Sequence, residues 1–139
     1  MINAILPKRG TDDFGSGEFG APRDGGKRKH KGIDYACYPE TMIQAKYSGE
    51  ITKFGYPYSD DLSYRYIEIT DRHGSKHRYF YVEPDKLLKV GDDVEKNDVI
   101  GLSQDISGRY TNKKHKMKNH IHYEILVDGE PVNPELYNA

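Results

Sequence analysis

The apolar residues of this chain come in short runs, each broken by glycine, proline or a polar cluster, and no stretch of ten or more residues carries a helical apolar period. Segments such as "IDYAC" (33–37), "MIQAKY" (42–47) and "GEITKFG" (49–55) are short and rich in residues that suit a pleated backbone. Fourteen glycines and seven prolines in 139 residues supply the turns between them. Further along, "YRYIEIT" (64–70) and "HRYFYVE" (77–83) flank "DRHGSK", where His73–Gly74 predicts a hairpin turn. "LLKVGDDVEKNDVIGLS" (87–103) predicts two apolar runs around a polar loop. "HIHYEILVDGEPV" (120–132) predicts a strand, an Asp128–Gly129 turn and a short return. The expectation is an all-β fold, a single compact antiparallel β-sheet domain over 1–139 with no internal linker. That length can bury a modest core without disulfides.

Charge and cysteine content narrow the function. The formal net charge of −1 gives no global electrostatic case for nucleic acid, and no P-loop or other nucleic-acid motif is present. Charge is nevertheless uneven, with basic clusters "KRKHK" (27–31) and "KKHKMK" (113–118) each just ahead of a histidine or aspartate motif. As solvated loops these clusters say little; flanking one cleft, they would attract an anionic substrate. The lone Cys37 excludes an intrachain disulfide and reads as a structural thiol in a strand rather than a nucleophile. "MINAILPKRG" carries only a brief apolar run before charge, so it is neither a signal peptide nor a membrane span. The expectation is a chain made in the cytoplasm without an export signal of its own.

Two histidine motifs carry the chemistry. "KRKHKGIDYA" places His30 four positions before Asp34, and "NHIHYEI" places His120 and His122 one residue apart. In an extended strand alternate residues share a face, so His120, His122 and Glu124 project together while Ile121, Tyr123 and Ile125 turn toward a core. Gly32 is expected to let the backbone bend so that His30 and Asp34 converge. Imidazole and carboxylate donors suit zinc, and three protein ligands plus a water describe an open, catalytic site. The bland alternative is that each histidine is an ordinary surface or core residue, and an HxH or HxxxD alone is a weak signal.

The wider context resembles the lysostaphin-type (LytM-like) zinc endopeptidases over about residues 13–137. The matching stretches, in order, are "FGSGEFGAPRDGGKRKHKGIDYA", "AKYSGEITKFG", "LLKVGDDVEKNDVIGLS" and "HIHYEILVDGEPVNPELY". The resemblance implies one zinc ion per chain held by His30, Asp34 and His122, with His120 as general base. It also implies a substrate groove walled by loops and hydrolysis of peptide bonds in bacterial peptidoglycan. The family normally carries a histidine after the central hairpin, and here Glu83 of "YVEPDKL" stands at that place. An ionised glutamate accepts hydrogen bonds and repels a developing oxyanion. Three roles stay open for Glu83: a second base, a residue that orients His120, or an alteration that weakens the enzyme. His77, His115, Tyr79, Tyr81 and Tyr110 are candidate substitute donors. A stand-alone catalytic segment of this kind resembles phage lysis or virion enzymes that reach the cell wall; it is expected to be a monomer, with no nucleic acid or membrane partner. The alternative is a non-catalytic wall-binding or amidase-activating member of the same fold. The loop 103–119 is the expected specificity element, and the basic residues favour stem-peptide carboxylates over neutral glycine bridges.

Overall fold

Residues His120–Val127 form the strand on which the rest of the fold is organised. The computed structural model describes residues 6–138. In chain order its first strands are β1 (Thr11–Asp12), β2 (Gly15–Ser16), β3 (Pro22–Arg23), β4 (Arg28–Lys29), β5 (Ile33–Ala36), β6 (Met42–Gln44) and β7 (Gly49–Gly55). They are followed by β8 (Tyr66–Thr70), β9 (Lys76–Phe80), β10 (Val82–Pro84), β11 (Asp93–Val94), β12 (Val99–Ser103), β13 (His120–Val127) and β14 (Glu130–Val132). A four-residue helical turn, α1 (Ser107–Tyr110), interrupts the long loop before β13. The pairings are antiparallel, and the all-β expectation holds.

The main sheet runs β11-β7-β8-β9-β13-β14, with β5 also pairing β13. A smaller sheet, β10-β12-β6, packs over one of its faces. Between them lies the core: Ile51, Ile67, Ile69, Tyr79, Ile121, Tyr123 and Ile125 from the main sheet meet Ile43, Val82 and Ile100 from the smaller one. Each fully buried isoleucine contributes roughly 1.5–3 kcal/mol by leaving water. The period-two alternation in "HIHYEI" therefore sends Ile121, Tyr123 and Ile125 into this core and leaves His120, His122 and Glu124 on the opposite face.

Turn chemistry sets the register. Asp128 and Gly129 adopt φ of 51° and 82°, the double left-handed geometry of a tight hairpin joining β13 to β14. Between β8 and β9, Gly74 takes φ 82°, and the Asp71 carboxylate accepts from the backbone N–H groups of His73 and Ser75. One expected element divides: "HRYFYVE" is not one strand but β9 and β10, broken at Tyr81. That residue takes φ 66°, and the chain crosses there from the main sheet to the smaller one. Val82 thereby enters the core between the sheets at 0% exposure.

Candidate metal centre

The site is built on the face of the main sheet opposite the core. β5 and β13 pair antiparallel with His122 opposite Asp34, so one register decision brings a histidine and a carboxylate from distant sequence side by side. His30 comes from the segment just ahead of β5. Its approach requires Gly32: a Cβ there would lie 2.2 Å from the Tyr123 carbonyl oxygen and 3.0 Å from His122 Cε1. Gly32 thus serves by lacking a side chain where the backbone crosses β13. The backbone also bends at Gly32, as expected, without entering the left-handed region.

His30 Nε2, His122 Nδ1 and Asp34 Oδ1 converge, with separations of 2.9 Å between the imidazoles, 2.9 Å from His122 to Asp34 and 3.1 Å from His30 to Asp34. The outer nitrogens face acceptors: His30 Nδ1 lies 2.9 Å from the Glu18 carbonyl oxygen, and His122 Nε2 lies 2.9 Å from Glu124 Oε1. When hydrogens sit on the outer nitrogens, the inner ones present lone pairs that, with the carboxylate oxygen, a cation would join; without one, a ring hydrogen links an inner nitrogen to Asp34. Buried outer acceptors of this kind orient metal-bound histidines. Burial opposes charge on His122, yet its hydrogen bonds to Asp34 and Glu124 push its pKa up to about 9. Burial likewise opposes charge on Asp34, but hydrogen bonds from His122 and His30 hold its carboxyl well below the usual range. Two imidazoles and one carboxylate form a donor set suited to zinc.

His120 stands beside this cluster with its Nε2 3.5 Å from Asp34 Oδ2. Its Nδ1 donates to the Lys118 carbonyl oxygen at 2.8 Å, which leaves the Nε2 lone pair free. Burial lowers its pKa, partly offset by Asp34, which favours the neutral imidazole.

The cluster opens into a cleft of about 540 Å³ whose walls include Phe14, Tyr58, Tyr81, Tyr110 and Met117. Arg23, Lys29 and Lys31 line the same cleft, so the first basic cluster and, through Met117, the second both reach it. Glu83 does not. With Val82 turned into the core, the next side chain points outward; Glu83 is 55% exposed and lies 3.8 Å from Arg65 Nη1. The residue brought against His120 is Tyr81, whose ring meets the imidazole edge-on at 5.7 Å between centroids. The Tyr58 hydroxyl donates to Tyr81 at 3.3 Å and lies 2.7 Å from that of Tyr110.

The other candidate donors are placed elsewhere. Tyr79 and His77 face the core, and His115 sits in an exposed loop against Phe14. Cys37 packs against the core, where burial pushes its thiol up. Sequence reasoning missed Arg9 and Asp12, which no motif marks. It placed Glu124 on the histidine face without giving it a function.

Comparison with known proteins agrees with this geometry. The profile of peptidase family M23 matches residues 28–134. Peptidoglycan DD-endopeptidase ShyA of Vibrio cholerae is 32% identical over 106 residues, covering 75% of this chain and 22% of that protein. The match thus spans about a fifth of the length of ShyA and of an uncharacterized metalloprotease of Haemophilus influenzae that is also 32% identical. The catalytic domain of the prophage-encoded M23 protein EnpA from Enterococcus faecalis superposes with a TM-score of 0.68 at 22% identity, covering 100% of this chain and 96% of that one. The catalytic domain of lysostaphin from Staphylococcus simulans gives 0.61 at 22% identity, covering 86% and 84%. With most of its length inside the family profile and the same fold in both solved domains, the chain belongs to peptidase family M23.

Proposed function

We propose that this protein is a zinc-dependent endopeptidase that hydrolyses peptide cross-links of bacterial peptidoglycan. The observation that carries the reading is the convergence of three buried potential ligand atoms beside a histidine whose Nε2 faces the same cleft. Zinc held by His30, Asp34 and His122 would polarise the scissile carbonyl and make water acidic enough to ionise near neutral pH. His120 takes the proton of the attacking water at Nε2 and delivers it to the leaving amine. The Lys118 carbonyl holds the opposite ring hydrogen and so fixes the tautomer that this role needs.

We assign Tyr81, rather than Glu83, to the place beside His120 where charge develops on the substrate oxygen. Tyr58 donates to Tyr81, which leaves the Tyr81 hydrogen available to the cleft. Burial pushes the Tyr81 pKa up to about 12, so the hydroxyl keeps that hydrogen. Arg23, Lys29 and Lys31 on the cleft wall suit the carboxylates of stem peptides, which favours D-Ala–diaminopimelate cross-links over neutral glycine bridges. No helix among the described residues is long and apolar enough to cross a membrane. Its similarity to a prophage-encoded catalytic domain favours a phage lysis or virion enzyme.

The test is zinc content of the untagged protein together with release of fragments from purified cell walls, for wild type and His120→Ala. About one zinc per chain in both, with release confined to wild type, is the expected result. Zinc without cleavage of any wall type would leave a non-catalytic wall-binding protein. Faster cleavage of pentaglycine bridges than of diaminopimelate cross-links would sink the substrate assignment.

A further inference from the structure

Arg9 is the most deeply buried cation in the described chain, at 2% exposure, and it lies outside the residues matched by the family profile. Its guanidinium is divided between two carboxylates. Nη1 donates to Asp34 Oδ2 at 2.8 Å, while Nε and Nη2 form a fork on Asp12 at 2.9 and 2.6 Å. Asp34 is thereby split by oxygen: Oδ1 faces His30 and His122, and Oδ2 faces Arg9, with His120 Nε2 at 3.5 Å and Arg23 Nη2 at 4.0 Å.

The network continues to the base. Asp12 Oδ2 also accepts from the Lys118 backbone N–H at 2.8 Å, and Lys118 Nζ donates to the Arg9 carbonyl oxygen at 3.1 Å. Lys118 is the residue whose carbonyl fixes His120. The backbone is locked in register as well, because Arg9 N–H donates to the Asp34 carbonyl and Asp34 N–H to that of Gly17, both within 2.9 Å. Gly17 makes room for this: a Cβ there would stand 2.9 Å from the Cβ atoms of both Arg9 and Asp34.

From this geometry we infer that Arg9 and Asp12 form a positioning clamp, holding Asp34 to one inward-facing ligand oxygen and, through Lys118, aiming His120 at the same point. The clamp rests on the metallopeptidase reading given above. A guanidinium fork suits it because its planar donors satisfy two carboxylates at fixed angles, which a lysine ammonium does not.

Charge and position make opposite predictions, and that separates them. If Arg9 acted only as a nearby positive charge, removing it would tighten zinc binding. As a clamp, its loss lets Asp34 turn away and weakens binding.

The experiment is competition between the untagged full chain and a fluorescent zinc chelator, with thermal unfolding of the metal-free proteins in parallel. For Arg9→Gln the zinc dissociation constant should rise about 10- to 100-fold, and Arg9→Lys should fall short of wild type despite its restored charge. Asp12→Asn keeps Arg9 in place; it should weaken zinc only a few-fold but lower kcat about 10-fold with KM unchanged, because it loosens the Lys118–His120 link.

Zinc binding by Arg9→Gln that equals or exceeds wild type overturns the clamp. Should Arg9→Gln show no cooperative unfolding, Asp12→Asn decides, and wild-type zinc affinity with wild-type kcat overturns it. A wild-type protein that binds no zinc would defeat the metallopeptidase reading instead, so the two failures are distinguishable.

Discussion

Two buried histidine–carboxylate clusters lie on opposite faces of the same sheet, and they differ in one respect. On the core face, His77 Nε2 meets Asp71 Oδ2 at 2.9 Å and Nδ1 meets the Tyr123 hydroxyl at 2.6 Å. Each ring nitrogen there has a complementary partner, so the cluster closes on itself. On the cleft face, the partners of His30 and His122 all sit on the outside, and the inner nitrogens meet only each other and Asp34. His122 and Tyr123 are consecutive residues of β13, so one peptide step separates a closed cluster from an open one. Burial of a histidine beside an acid is therefore not the mark of a metal site. The mark is a set of potential ligand atoms that converge on one point with their outer nitrogens held by acceptors.

The comparison breaks most sharply by deleting one histidine from each face. His122→Ala should lower zinc affinity on the order of a hundredfold or more, since a ligand atom is lost outright. His77→Phe should leave zinc binding at wild-type level and lower stability by about 2–4 kcal/mol, because Asp71 and Tyr123 lose their partner. Zinc titration and urea unfolding of both variants check this, and loss of zinc in His77→Phe would erase the distinction.

Within the cleft, Tyr81→Phe removes one hydroxyl and little else. Its kcat should fall about 100-fold at unchanged zinc affinity, the size expected for one oxyanion donor. Steady-state hydrolysis of a cross-linked muropeptide measures this, and unchanged kcat would remove Tyr81 from the mechanism.

The closed cluster carries a pH signature of its own. Burial opposes charge on Asp71, but hydrogen bonds from Tyr137, His77 and the backbone of His73 and Ser75 lower its pKa from 3.8 to about 2. A carboxylate lowered in this way contributes stability that is fully present above pH 3.8 and lost as pH falls through about 2. Asp71→Asn should therefore be less stable than wild type by about 2 kcal/mol at pH 6, with the gap narrowing toward zero near pH 1. A gap that stays constant across urea titrations at several pH values would contradict this.

The smallest effect is expected at Glu83. Glu83→Ala should shift stability by no more than about 0.5 kcal/mol and leave kcat near wild type, because its ion pair with Arg65 is exposed and removed from the cleft. A large loss of turnover would restore it to the site.

Much of the site was legible in the sequence because it depends on local rules. Alternation along "HIHYEI" placed two histidines and Glu124 on one face, and Asp128–Gly129 and His73–Gly74 marked hairpins through their backbone preferences. The matching motifs named His30, Asp34 and His122, and these three are the residues whose ligand atoms converge. Glu83 shows where local reading stops. Its motif position suggested the cleft, but the left-handed turn at Tyr81 and the burial of Val82 rotate it outward.

The sequence alone determined most strands of the main sheet, their faces and the donor types, because side-chain period and turn propensity act over a few residues. Tertiary structure decided which histidine is closed and which open, which aromatic residue stands beside His120, and how Arg9 comes to grip Asp34. Those outcomes rest on contacts spanning 25 positions for Arg9–Asp34 and 88 for His122–Asp34. Such pairs exist only once sheet register and the packing of the two sheets have set where each strand lies, and no short-range preference encodes that.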